Sequence, residues 1–162
     1  MISVDTDAED TQKKLDALKK AVSDKAIDGL NVAGAFLEKE MVLKIEAGLQ
    51  PPLHPATIAR KGSSEPLYDD GELLDQISHD MSADGSSVEV GVFGSRARIA
   101  KVHEFGKDIE VTPKMRGYLH SIGIHLRKDT THIHIPERSF MRTALAENEK
   151  KVKKIVKGEM KK

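Results

Sequence analysis

The chain contains no cysteine and no tryptophan, and aromatic residues make up only 4% of it. The first absence excludes a disulfide framework and any thiolate chemistry. The scarcity of aromatics leaves Leu, Ile, Val and Met to fill the interior. That is a thin core for 162 residues, so part of the apolar surface is expected to be covered by another subunit. Charge of one sign is also lacking. The 26 basic residues balance 26 acidic ones, which removes any global electrostatic case for nucleic-acid binding. No apolar run approaches the roughly 20 residues that span a bilayer. The acidic start (Asp5, Asp7, Glu9, Asp10) is unlike a signal peptide. The expectation is one soluble domain with a long helical arm, made in the cytoplasm.

The chemistry that most enzymes advertise is missing too. There is no Gly-x-Ser-x-Gly elbow, no phosphate-binding loop and no dinucleotide fingerprint; Gly91-Val92-Phe93-Gly94-Ser95 does not substitute for them. His120, His125, His132 and His134 lie close in sequence, and a metal site is conceivable there. No carboxylate or cysteine falls at a ligand spacing around them, however, so histidines on the solvent face of a hairpin are the better reading. His103-Glu104 lacks the second histidine of a zincin helix. The acids Asp69, Asp70 and Glu72 suit a helix start. Arg96, Arg98 and Lys101 form a small basic spot without aromatic stacking partners. The expectation is a non-enzyme with no catalytic, cofactor or metal residues.

What is present begins with a capping box, Thr6 with Glu9. Leu15, Leu18, Val22, Ala26, Leu30, Ala33, Leu37, Met41 and Ile45 follow at steps of three or four, one apolar stripe along one helix face. Gly48 and Pro51-Pro52 stop it. Leu15 to Leu49 makes a rod of roughly 50 Å at 1.5 Å per residue, with a bend or break expected between Gly29 and Gly34. Either a helix of a neighbouring copy or a second helix of the same chain would cover the stripe.

Residues 51–67 hold four of the six prolines. They read as an extended loop, with a short helical turn at residues 57–62 and a role in binding or subunit contact. Asp70 is expected to cap a short helix at residues 72–77. Residues 77–81 and 88–93 alternate around Asp84-Gly85 as a β-hairpin. Residues 97–105 read as a helix ending at Gly106, 109–111 as a short strand and 115–121 as one or two helical turns. Residues 124–126 are expected to pair with 132–135 in a second hairpin. Pro136 ends that strand, Ser139 is a candidate N-cap, and a final helix runs into a lysine-rich end. Residues 147–162 carry seven lysines against three glutamates, which suits a solvated helix C-terminus.

The fold class is therefore α+β, with a long N-terminal helix, a small antiparallel sheet of two hairpins plus a short strand, and a C-terminal helix. Residues 1–50 form a helical arm, 51–145 an α+β core containing the loop 51–67, and 139–162 the C-terminal helix and lysine-rich tail.

Four segments carry a resemblance. They are Leu53-His54-Pro55-Ala56-Thr57-Ile58-Ala59-Arg60-Lys61-Gly62, Pro66-Leu67-Tyr68-Asp69-Asp70-Gly71-Glu72-Leu73-Leu74, Val102-His103-Glu104-Phe105-Gly106, and Ile135-Pro136-Glu137-Arg138-Ser139-Phe140-Met141-Arg142. In this order the set resembles the tailed-phage neck or tail-completion proteins, also called virion-morphogenesis or head–tail joining proteins, of Mu-like and long-tailed phages. The likeness covers about residues 50–145. Asp70 stands where that family tends to have Thr, and Ser139 where it often has Pro; residues 111–131 are less typical.

The resemblance implies a homo-oligomeric ring, six-fold, at the neck between connector and tail. Its partners would be a connector- or portal-side neck protein and a tail terminator or tail tube protein, with non-specific contact to channel DNA and no membrane. It would reside in the virion, and in the host cytoplasm during assembly. The expected subunit-interface residues are Pro55, Thr57, Arg60, Lys61, Glu104, Phe105, Arg138, Phe140 and Arg142, with Phe140 equally open to simple core filling. Rival readings are a tail terminator or minor tail protein, a DNA-binding protein using the lysine-rich C-terminus, and a metal-dependent hydrolase using the histidines.

Overall fold

The computed structural model describes residues 5–69 and 71–161, with side chains from Thr11 onward. The Thr6–Glu9 box and the Asp70 cap lie outside the described side chains. Helix α1 spans Asp5–Glu46 without interruption, about 60 Å at 1.5 Å per residue. The predicted break does not occur. Both glycines serve close approach instead: a Cβ on Gly29 would sit 3.1 Å from the Val156 backbone, and one on Gly34 would sit 2.7 Å from the His79 ring. Tertiary packing outweighs the helix-propensity cost of about 1 kcal/mol per glycine.

The fold is α+β. The remaining elements are α2 (Pro55–Lys61), β1 (Ile77–Met81), β2 (Val88–Val92), α3 (Ala97–Phe105), β3 (Lys107–Glu110), α4 (Pro113–Ser121), β4 (His132–Ile135) and α5 (Met141–Glu159). The β1–β2 hairpin pairs Ile77 with Val92 and Met81 with Val88, as its alternation predicts. Its turn is held by Asp84, which accepts from Ser82 Oγ at 2.7 Å and Ser86 N at 3.1 Å. Those bonds, led by the one from Ser82, bring the Asp84 carboxyl down to about 2.

The second sheet departs from the prediction. β4 pairs with β3, Lys107 opposite Ile135 and Glu110 opposite His132, and residues 124–126 form no strand. The local backbone groups are already engaged. Ile124 N donates to Leu119 O at 2.8 Å, and the Arg116 guanidinium donates to the Arg127 and Thr130 carbonyls at 2.9 and 2.6 Å. The sheet is thus two separate ribbons rather than two adjacent hairpins. Residues 72–76 likewise make a turn and not a helix, because Ile77 is already claimed by the ladder with Val92.

The core gathers Met41, Ile45 and Leu49 from the end of α1 and its exit, Leu73, Ile77, Ala100 from α3, and Phe140 and Ala144 from the start of α5. α5 lies along the second half of α1. Lys44 meets Glu147 at 2.5 Å, and Lys151 sits 4.2 Å above the Phe36 ring. The first half of α1 is different. Every residue from 11 to 24 is exposed. An intramolecular partner covers one half of the predicted stripe, and no described residue covers the other.

Candidate functional site

Two of the four segments singled out above, residues 102–106 and 135–142, meet at one junction. α3 places Ala100 and Glu104, four residues apart, on the same helix face. Ala100 is small enough to bring that face against the core, and Glu104 then projects toward the start of α5. Gly106 follows with φ +67, and a Cβ there would meet the Glu137 nitrogen and the Ile135 carbonyl at 3.0 and 3.1 Å. Only glycine permits that approach. The β3–β4 ladder then fixes the register, and Arg138 N donates to His103 O at 2.6 Å.

Glu104 is 1% exposed. Its carboxylate accepts from Ser139 Oγ at 2.6 Å, from the Phe140, Met141 and Arg142 nitrogens at 2.9, 3.0 and 2.9 Å, and from Arg142 Nε at 3.1 Å. These backbone N–H groups are the ones a helix N-terminus leaves without intrahelical partners. The helix dipole also favours an anion there. Burial raises the Glu104 pKa, but the bonds from Ser139 and the three amides outweigh it, so the carboxyl titrates below its ordinary value. Ser139 is therefore not the cap. Phe140 occupies the N-cap position without a capping side chain of its own, and Glu104 supplies the cap from a distant segment.

Two arginines extend the junction. Arg142 donates to the Glu104 carbonyl and to Glu137, both at 2.7 Å, and lies 4.6 Å above the Phe105 ring. Hydrogen bonding to Glu104 raises its pKa. Arg138, only 4% exposed, donates to the Pro51 and Pro52 carbonyls at 2.7 and 3.0 Å and so anchors the root of the 51–67 segment. Burial lowers its pKa. His103 Nδ1 is buried without a partner. Burial and then the charge of Arg138 push the His103 pKa down to about 4. On the other side, Glu72 pairs with Arg96 at the start of α3, and Gln76 accepts from Arg96 N at 2.8 Å.

Of the nine expected interface residues, the junction unites Glu104, Phe105, Arg138, Phe140 and Arg142. Glu104, Arg138 and Phe140 lie inside the protomer, with Phe140 fully buried in the core. Phe105 and Arg142 reach solvent. Pro55, Thr57, Arg60 and Lys61 stand apart on α2, which has no fully buried residue. His54 caps α2, Gly62 closes it at φ +77, and Lys61 Nζ donates to Glu65 O at 2.5 Å.

Chemically the Glu104 carboxylate is saturated. Both Glu104 oxygens are occupied by donors, which leaves no lone pair poised for proton transfer. The histidines do not converge: His120 and His125 pack edge to face at 4.5 Å, while His134 meets Asp108 at 2.7 Å. Among the described residues no three His, Cys, Asp or Glu side chains are placed to hold a metal. No described helix is long and apolar enough to cross a membrane.

Sequence reasoning missed a surface feature beside the junction. Glu89, Gly91, Phe93, Ala97, Lys101, Phe105 and Met141 are among the residues lining an apolar groove of about 440 Å³. A signal for it exists in the sequence. Phe93 follows Val88, Val90 and Val92 directly, an aromatic out of phase with the buried alternation.

An α+β protein whose polar centre is a brace between chain segments, and whose long helix runs past its own core, is what fold and site define. The chain belongs to the phage virion morphogenesis family, whose model matches residues 7–161. No curated protein and no solved structure matches it.

Proposed function

We propose that the protein is a structural virion subunit of the phage neck, a tail-completion or head–tail joining protein forming a ring between connector and tail. One observation carries the oligomeric part. The protomer exposes 11597 Å², whereas a compact monomer of its 17.8 kDa would expose about 8,000 Å². The surplus is several times the roughly 800 Å² that each partner contributes to a standard interface. Thirteen large apolar side chains are exposed among the described residues, a supply of apolar surface for association. Membership in a virion morphogenesis family supports an assembly role, and the fully bonded Glu104 carboxylate supports action through interfaces rather than turnover.

The ring is six-fold in this reading. Its faces meet a connector-side neck protein and a tail terminator or tail tube protein. A second contact has its own observation: Lys150, Lys153, Lys154, Lys157 and Lys161 share one side of α5 around a shallow groove, a stripe suited to the phosphates of DNA in the channel. Native mass spectrometry of the purified protein, with electron microscopy of what forms, tests the ring. A closed oligomer is expected, and phage lacking the protein should accumulate unjoined heads and tails. A strict monomer, with virions assembling normally in its absence, overturns the proposal. Salt separates the DNA contact from the ring, since phosphate binding falls steeply with salt and apolar association does not.

A further inference from the structure

The apolar stripe on the first half of α1 and the apolar groove are both uncovered among the described residues, and they lie on different parts of the protomer. Leu15, Leu18 and Val22 form the exposed stripe, at 44%, 62% and 48% exposure, with the i, i+3, i+7 spacing of one helix face. The helix leaves the body near Ile27, which packs at the hairpin tip against Gly85. Leu15 is thus carried roughly 18 Å beyond the last support at 1.5 Å per residue. An unbroken helix cannot fold back, so the stripe does not reach its own groove.

The groove is built to receive something apolar. Gly91 forms its floor, where the nearest side-chain atom to a Cβ would be Met141 Sδ at 3.6 Å. Phe93 and Phe105 stand at its rim, 37% and 56% exposed. The chain has only four phenylalanines, and two of them are left half in water at one place. That is the pattern of an interface anchor.

Charge identifies the occupant. In the β1–β2 register Asp80 lies directly opposite Glu89, on the same sheet face as Gly91. Two carboxylates facing each other across a ladder repel and call for a cation. Residues 11–24 of α1 carry four lysines against two aspartates, a net +2. Such an arm laid beside Asp80 and Glu89 is attracted.

We infer that the groove between β2, α3 and the start of α5 is the seat for residues 11–24 of α1 from a second copy of this chain. Such a contact is heterologous, stripe to groove, and repeats around the molecule until it closes as a ring. It rests on the ring reading above and specifies which surfaces make the ring.

The absence of cysteine makes the test clean. The full chain carrying both Leu18→Cys and Phe93→Cys, mildly oxidised, should give a ladder of disulfide-linked multimers ending at the ring size. Each single variant should stay uncross-linked. Leu18→Asp in the otherwise native chain should weaken self-association roughly 100-fold, as loss of a central apolar anchor does. If Leu18→Cys alone dimerises as readily as the double variant, arm pairs with arm and the inference fails. If native mass spectrometry finds the ring but the double variant gives no ladder, the ring stands and this seat is wrong. A monomer in both measurements removes the ring and the seat together.

Discussion

One helix, two fates: residues 11–24 and 27–46 of α1 share a single apolar stripe, yet only the second stretch finds cover in its own chain. Ala33, Leu37, Met41 and Ile45 are 1%, 6%, 3% and 0% exposed, against 44–62% for Leu15, Leu18 and Val22. The covered half is distinguished by what meets it. Gly29 and Gly34 let α5 and the β1–β2 hairpin come close, and the Glu104 junction fixes where α5 begins. Periodicity is set by the helix alone, whereas burial depends on the position of a distant segment. The stripe is therefore a statement about secondary structure, and only the brace decides which part of it becomes core.

That contrast is broken most severely by removing the brace. Glu104→Ala strands three backbone N–H groups at the buried start of α5 and removes the carboxylate partner of Arg142 Nε. Loss of a buried, multiply bonded carboxylate costs about 3–5 kcal/mol, reduced a little by the desolvation that the mutant no longer bears. Chemical denaturation should show about 4 kcal/mol of destabilisation, with Glu104→Gln intermediate because its amide turns an N–H donor toward N–H donors. The next largest effect belongs to the covered half of the helix itself. Ile45→Ala should cost about 3 kcal/mol by leaving a cavity beside Phe140, read in the same denaturation curve.

Acid attacks the brace without mutation, and more mildly. His103 is held neutral, its pKa near 4 against an ordinary 6.5. The unfolded chain takes up that proton first, so stability falls as pH drops from 6.5 toward 4 and levels off below. The Glu104 pKa is depressed as well; its contribution is complete above its unfolded value and is lost as pH falls through the folded one. Both act in the same direction. A loss of about 2 kcal/mol is expected between pH 6.5 and 4, after allowance for the partial exposure of the His103 ring. His103→Gln should flatten that slope, and an unchanged slope would sink the assignment.

The legible parts of the fold were those set by local pattern. The α1 stripe, the alternation around Asp84-Gly85 and the stop at Pro136 each depend on neighbours within a few residues. What misled were features decided at long range. Gly29 and Gly34 read as weak points because their partners, Val156 and His79, are far away in sequence. Ser139 read as a cap because its own type favours that role, while the true cap sits 36 residues upstream of Phe140. The second hairpin does not form because residues 132–135 pair with residues 107–110, a segment more than twenty residues away. The segments 102–106 and 135–142 are legible as motifs, but not as one object: their link emerges only when Glu104 and Arg142 are seen to tie them together.

The smallest expected effect is the most informative about the uncovered half. In a dilute protomer the Leu18 side chain is mostly in water, so trimming it removes little burial, and alanine is the slightly better helix former. Leu18→Ala should therefore leave monomer stability within about 0.5 kcal/mol of native, where Ile45→Ala on the same helix and stripe costs several times more. Repeating the two denaturation curves at concentrations where the protein associates should separate them differently. Ile45→Ala should keep its penalty, because its site is complete within one chain. Leu18→Ala should acquire one, because association is what removes its stripe from water. A Leu18→Ala penalty already present at high dilution would mean that the protomer covers its own arm in solution, and would end the distinction between the two halves.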